Sequence, residues 1–91
     1  MKWSDFKQEI TSLSPEEKAG LELMAAIASV RKRKNLTQEQ LARRAKVTQA
    51  QVARVENLSY TPSLATLTKI FGGLDLDIAL IDRQTGEVIR I

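Results

Sequence analysis

The chain has 91 residues, of which 43% are hydrophobic and 27% charged, a composition typical of one small folded domain. Cysteine and histidine are absent, which excludes disulfides, a typical zinc site and a histidine-based catalytic triad. We therefore expect no metal, no cofactor and no enzyme activity. The sequence has no apolar run of membrane-spanning length and no signal peptide at its start, so we expect a cytoplasmic protein without membrane contact.

The net charge of +3 is distributed unevenly along the chain. Residues 1–30 carry −2, residues 63–91 carry −1, and residues 31–62 carry +6 from eight Lys or Arg and two Glu. A basic middle between two mildly acidic flanks indicates a polyanion contact confined to the middle, or only a solvated charged face. Charge alone does not decide between these interpretations.

The chain opens with apolar residues at helical spacing: Trp3, Phe6, Ile10 and Leu13. This spacing predicts a short amphipathic helix. A second helix is expected to begin after Ser14, because Ser14 suits the N-cap, Pro15 suits the first turn and Glu17 stands at N3 of a capping box. It should run to about Lys34, with Asn35 as its stop.

Two short helices follow, and the same capping pattern opens both. Thr37 precedes Gln40, and Thr48 precedes Gln51, by the three residues that a capping box requires. The helices should cover about residues 38–45 and 48–56.

Little chain remains between these two helices. Only Lys46 and Val47 form the tight turn, and the small side chains of Ala42 and Ala45 lie on the buried side of the first helix. Small side chains let two helices cross closely at the steep angle that holds the second one in a DNA major groove. The spacing therefore predicts a helix-turn-helix unit.

The C-terminal third begins with one more helix and then changes its period. The helix should start at residues 61–63, end at Gly72-Gly73, and bury four residues: Leu64, Leu67, Ile70 and Phe71. Alternation then predicts a strand over residues 74–81, a turn at 83–86 and a return strand at 87–91, which together make a hairpin. A hairpin is marginal alone, so it should pack on the helices, pair with a second chain, or both.

The segments Leu36–Ala42 and Ala45–Asn57 resemble the Cro/repressor-type (XRE) helix-turn-helix family. With its flanking helices the motif covers about residues 24–73, and the loop Tyr60–Leu64 also fits. Lys46 stands where the family usually has glycine, and a positive φ there strains a non-glycine residue by about 1 kcal/mol. The resemblance implies a mainly α, lambda-repressor-like fold of five helices with a C-terminal strand or hairpin. We divide the chain into an N-terminal extension (1–20), a DNA-binding domain (21–73) and a hairpin for dimerisation (74–91).

Site roles follow from the resemblance position by position. Gln49 and Arg54 are the expected base readers, although Arg54 can address either guanine or a phosphate. Gln51 either reads a base or only caps the helix with Thr48. Expected contacts to the DNA backbone come from seven residues: Gln38, Arg43, Lys46, Thr48, Asn57, Ser59 and Tyr60.

The additions around the motif resemble HigA-type antitoxins of type II toxin–antitoxin systems. The resemblance rests on Trp3–Phe6, on Leu13–Glu17 and on the apolar segment Leu74–Ile81. It implies a repressor that binds and neutralises a small basic RelE/HigB-like endoribonuclease and represses its own operon. The alternative is a stand-alone XRE-family regulator without a toxin. A protein-interaction module that has lost DNA binding is disfavoured by the basic middle.

The resemblance also suggests where the protein partners bind. The N-terminal stripe of Trp3, Phe6, Ile10 and Leu13 either contacts the toxin or packs on the chain's own core. The strand residues Leu76, Ile78 and Leu80 should form a symmetric homodimer. Such a dimer would present two recognition helices about 34 Å apart to a palindromic operator in double-stranded DNA.

Overall fold

The computed structural model describes residues 14–90, in which four α-helices precede a two-stranded hairpin. The helices are α1 (Pro15–Arg33), α2 (Gln38–Ala45), α3 (Gln49–Glu56) and α4 (Leu64–Gly73), and the strands are β1 (Ala79–Ile81) and β2 (Val88–Arg90). The expected mainly helical helix-turn-helix arrangement is confirmed. The expected count of five helices is not matched within residues 14–90, because the first of them falls on residues 1–13, outside the described residues.

All four helices begin with a side-chain cap. Ser14, Thr37 and Thr48 each accept a hydrogen bond from the N3 backbone N–H, and the N3 side chain accepts one from the cap's own N–H, so the three capping boxes read from the sequence are confirmed. Ser63 caps α4 by accepting from the Thr66 N–H at 3.1 Å. These bonds satisfy N–H groups that have no partner inside the helix.

The four helices also end alike. The chain turns through a left-handed, non-glycine residue after each of them: Asn35, Lys46, Leu58 and Asp75, with φ between 57° and 59°. The N–H of the following residue then donates to a carbonyl five residues back, as Leu36 does to Arg31 and Val47 to Ala42. This is the pattern of the Schellman motif. The left-handed Lys46 expected from the sequence is confirmed.

Nine buried apolar residues from all four helices and the end of α4 form one core: Met24, Ile27, Leu41, Ala42, Ala45, Val52, Val55, Ile70 and Leu74. Gly73 lets α4 approach α2 closely, because a β-carbon there would lie 3.0 Å from the Ala45 Cβ. Gly73 is the last residue of α4, as expected, but its role is this close approach, since the left-handed position belongs to Asp75. Burial of Leu64 was expected and is wrong, because Leu64 is 76% exposed.

The C-terminal strand is shorter than the alternation of apolar residues indicated. Leu74 is fully buried and caps α4, and Asp75 is left-handed, so this segment closes the helix instead of starting a strand. Strand pairing begins only at Ala79, which lies opposite Arg90. Of the three expected dimerisation residues, only Leu80 therefore lies in a strand; Leu76 and Ile78 precede it.

The hairpin turn and its exposure complete the fold. The Gly86 N–H donates to the Asp82 carbonyl at 2.8 Å, and Gly86 adopts a φ of +75°. Every residue of β1 and β2 is exposed, including the apolar ones. None of the helices in residues 14–90 is both long and apolar enough to cross a lipid bilayer.

Candidate nucleic-acid interface

The helix α3 has one buried and one exposed face. Val52 and Val55 are fully buried, which fixes the rotation of α3 on the core. Gln49, Arg54 and, just past the helix end, Asn57 are exposed. Two of the three expected base readers and one backbone candidate are therefore exposed on α3 or at its end.

The two base readers have free polar groups. Neither the Gln49 amide nor the Arg54 guanidinium has a hydrogen-bond or ion-pair partner within residues 14–90. An amide can bond the edge of adenine through two atoms, and a guanidinium can do the same with guanine. The arrangement supplies both groups without breaking an internal contact.

Gln51 differs from the other two. Its side chain is turned back to the start of α3, where Oε1 accepts from the Thr48 N–H at 2.9 Å. Thr48 in turn accepts from the Gln51 N–H at 3.1 Å. The capping alternative left open by the sequence describes this geometry, while base reading by Gln51 stays a prediction.

A polar network at the end of α3 was not foreseen from the sequence. Arg31 donates two hydrogen bonds to the Glu56 carboxylate, at 2.7 and 2.9 Å, and a third at 2.7 Å to the Leu36 carbonyl. Gln38 donates to the same carboxylate at 3.1 Å. One carboxylate thus joins α1, α2 and α3.

Both members of the ion pair are largely buried, with 11% and 5% of the Arg31 and Glu56 side chains exposed. The hydrogen bond to Glu56 raises the pKa of Arg31 above its ordinary value, so Arg31 keeps its charge at neutral pH. A carboxylate at a helix C-terminus is unfavourable to the helix dipole. That position of Glu56 was the one signal in the sequence that a cation must lie nearby.

Four of the seven expected DNA-backbone contacts lie in α2 or in the turn that follows it. Lys46 and Thr48 lie in the turn before α3, and Lys46 is exposed without a partner within residues 14–90. Arg43 is exposed and paired with Glu39 at 2.8 Å. Gln38 keeps its position at the start of α2, but its side-chain amide is bonded to Glu56.

The loop after α3 holds the remaining candidates. Asn57 is exposed, and the Ser59 hydroxyl donates to the Arg54 carbonyl at 3.1 Å. Tyr60 is half-buried and packs against the core. The turn before α3 and the loop after it therefore hold the remaining backbone candidates at the two ends of α3.

The basic middle of the sequence is partly neutralised. Of its eight cations, Arg31, Arg43 and Arg44 are in ion pairs, and Lys34 donates to the Leu74 carbonyl. Four exposed cations have no partner within residues 14–90: Lys32, Arg33, Lys46 and Arg54. Within the same residues no group of three or more Asp or Glu side chains could hold a metal ion.

The chain is similar in sequence and in fold to known proteins. Residues 27–81 match the family model described as helix-turn-helix. The immunity repressor protein of Bacillus phage phi105 is 38% identical over 55 residues, which is 60% of this chain but only 38% of that protein. The chain thus spans well under half the length of that relative.

Two kinds of solved structure are similar. A chain of the HipA-HipB-O2-O3 complex is 31% identical with a TM-score of 0.64, over 70% of this chain and 90% of that one. A mutant of the restriction-modification controller protein C.Esp1396I is 26% identical with a TM-score of 0.57, over 59% of this chain and 70% of that one.

Proposed function

This chain belongs to the helix-turn-helix family, and we propose that it is a sequence-specific DNA-binding transcriptional repressor of the XRE type. The observation that carries the proposal is the exposed face of α3, on which Gln49 and Arg54 keep unpaired hydrogen-bonding groups while Val52 and Val55 anchor the opposite face. A similar immunity repressor and a similar controller protein support a regulatory role. The role is binding, without catalysis.

The test is DNA binding with a matched duplex as its control. The full chain is titrated, by fluorescence anisotropy, into a palindrome from its own promoter and into a scrambled duplex of equal length and composition. We expect affinity for the palindrome to exceed that for the control by about 10³-fold or more, and log K to fall steeply with log salt concentration. Equal affinity for the two duplexes at every salt concentration would contradict the proposal.

We propose further that the repressor is a homodimer formed through the C-terminal hairpin. Leu80 and Ile89 lie opposite each other on one face of the hairpin, and Ile81 and Val88 lie opposite each other on the other. All four side chains are exposed in the single chain. Apolar residues on both faces of a two-stranded sheet favour burial against a second copy.

The narrower proposal is that the chain is the antitoxin of a type II toxin–antitoxin pair and neutralises a RelE/HigB-like toxin by direct binding. It is supported by the HigA-like N-terminal sequence and by similarity to a chain from an assembly containing HipA and HipB, of which 90% is covered. The second candidate, a stand-alone regulator, is favoured by the similarity to the controller protein.

Co-expression separates the two candidates. The chain is expressed with the product of the adjoining gene, and the purified material is weighed by native mass spectrometry. A stable complex, together with relief of growth arrest caused by the neighbouring product alone, is the expected result. Separate elution of the two proteins, or a neighbour that is harmless when expressed alone, would favour the stand-alone regulator.

A further inference from the structure

Each strand of the hairpin has one edge without a neighbouring strand. The Asp82 N–H donates to the Glu87 carbonyl at 2.9 Å, so these two residues form a hydrogen-bonded pair. Hydrogen-bonded and non-hydrogen-bonded pairs alternate along an antiparallel ladder. Ile81, which lies opposite Val88, is therefore a non-hydrogen-bonded residue, and so is Ala79 two positions before it. Their N–H and carbonyl groups point away from β2, towards the free edge of β1.

The free edge of β1 is unprotected. Unpaired N–H and carbonyl groups recruit another strand, so proteins commonly guard such edges with charged residues or proline. Among the described residues of β1, Ala79–Ile81, none is charged, none is proline and all three are exposed. The outward positions of β2 are Val88 and Arg90, and the Arg90 side chain is charged and 80% exposed. The edge of β1 is therefore the better site for a further strand.

We propose that two copies of the chain pair through the free edges of β1, antiparallel and centred on Leu80, to form one four-stranded sheet. The inference rests on the proposed hairpin dimer and names the strand and the register that form it. In this register Ala79 of each copy exchanges two backbone hydrogen bonds with Ile81 of the other. The two Leu80 residues lie opposite each other across the two-fold axis, so the interface is self-complementary.

The residues on either side of β1 support this register. Asp77 stands three positions before Leu80, and Arg83 stands three positions after it. Pairing centred on Leu80 therefore brings Asp77 of each copy beside Arg83 of the other, so opposite charges meet at both ends of the interface. Within the single chain Asp77 lies 3.6 Å from Arg90, in an exposed ion pair that contributes little. Asp77 can therefore turn to a cation of the second copy at small cost.

The two neighbouring symmetric registers are less favourable. With the axis at Ile81, Leu80 would lie opposite Asp82 of the other copy. With the axis at Ala79, Leu76 would lie opposite the same Asp82. Each alternative sets an apolar side chain against a carboxylate, whereas the register centred on Leu80 sets apolar residues against apolar ones.

Cysteine crosslinking reads the order of the strands directly, because the chain contains no cysteine. In the proposed sheet the two Leu80 Cα atoms would lie about 4.5 Å apart, within the range of a disulfide. Ile89 lies opposite Leu80 on β2, so the two Ile89 positions would be three strand spacings apart, about 14 Å, which is beyond that range. Full chains with Leu80→Cys or Ile89→Cys are oxidised at micromolar concentration and resolved on a non-reducing gel. We expect about tenfold more crosslinked dimer from Leu80→Cys than from Ile89→Cys.

Charge reversal tests the register. Arg83→Asp should weaken the dimer several-fold in sedimentation velocity, because like charges then meet at both ends of the interface. Adding Asp77→Lys to the same chain should restore the dimer, because the opposite charges are exchanged. A double variant as weak as Arg83→Asp alone would overturn the register.

Other outcomes would overturn the strand assignment. Crosslinking of Ile89→Cys equal to or above that of Leu80→Cys would assign the interface to the edge of β2 or to a face of the hairpin. If Leu80→Cys does not dimerise, a mixture of Ala79→Cys and Ile81→Cys chains replaces it, and these should crosslink with each other more than with themselves. A dimeric wild-type chain without these crosslinks would overturn this inference and leave the hairpin dimer, whereas a monomeric wild-type chain would overturn both. Palindrome binding by the wild-type chain tests the repressor proposal separately.

Discussion

Glu56 is the residue on which the polar contacts of the helix-turn-helix unit converge. Its carboxylate accepts from Arg31 of α1 and from Gln38 of α2, and it stands at the last position of α3. The Glu56 carboxylate therefore connects α1, α2 and α3, whose relative orientation the helix-turn-helix unit requires. The residues of this network lie 18 and 25 positions from Glu56, beyond the reach of any local sequence pattern.

Removing the Glu56 carboxylate should destabilise the fold strongly. Glu56→Ala leaves the buried Arg31 guanidinium without its counterion, a loss of about 3–5 kcal/mol in the free energy of unfolding. The measurement is urea unfolding followed by circular dichroism. Glu39→Ala is the control, because it removes an exposed pair with Arg43 worth about 0.3–0.5 kcal/mol. Comparable losses in the two variants would show that the Glu56 network is not a structural tie.

Gln49 offers the corresponding test of base reading. Gln49→Ala should weaken binding to the palindrome by about 1–3 kcal/mol and leave binding to scrambled DNA unchanged, because a base contact acts only on its own sequence. Gln84→Ala in the hairpin turn is the control for loss of an exposed amide. An equal loss on both duplexes would instead make Gln49 a contact to the DNA backbone.

At the scale of the helices and strands, features set by neighbouring residues could be predicted from the sequence, and features set by tertiary packing could not. The capping boxes of α1, α2 and α3 were predictable because each lies within four consecutive residues. The predicted start of the strand at residue 74 is wrong. Leu74, Leu76, Ile78 and Leu80 alternate as they would in a strand, but Leu74 is buried in the helical core. Likewise the exposure of Leu64 depends on how α4 is rotated, which the apolar period of one helix does not fix.

The contact between α2 and α4 can be tested with two adjacent glycines. Gly73→Ala would place a β-carbon 3.0 Å from Ala45 and 3.1 Å from Leu41, so it should destabilise the domain by about 1–3 kcal/mol through overpacking. Gly72→Ala meets no described atom within 4 Å and should be neutral or stabilising by up to about 1 kcal/mol. Thermal or urea unfolding of both variants gives the comparison, and equal stability would rule out close packing as the role of Gly73.

At the scale of the whole molecule, charged and exposed apolar side chains are separated along the sequence. The first turn of α1 is acidic and its last turn is basic, while the exposed apolar side chains of the hairpin lie at the other end of the sequence. One surface is thus suited to a polyanion and another to a second copy. We expect a dimer formed through the hairpin to leave Gln49 and Arg54 accessible.

The hairpin interface should fail when a charge is placed on it. Ile81 is 70% exposed in the single chain, so Ile81→Asp should leave the monomer folded and abolish the dimer. Sedimentation velocity at micromolar concentrations measures the mass, and anisotropy should show reduced affinity for the full palindrome. Gln84→Asp adds the same charge in the turn and should remain dimeric. A wild-type chain that is monomeric under these conditions would refute the dimer.

The left-handed residues that end the helices also bear on how long the protein survives in a cell. Lys46 and Leu58 lack the tolerance of glycine for this conformation, and each costs about 1 kcal/mol. That is a substantial part of the roughly 5–15 kcal/mol that holds a small domain folded. The open, protease-sensitive population therefore rises, and cellular degradation tracks that population. We therefore expect a variant with glycine at both positions to resist an added protease longer than the wild-type chain does.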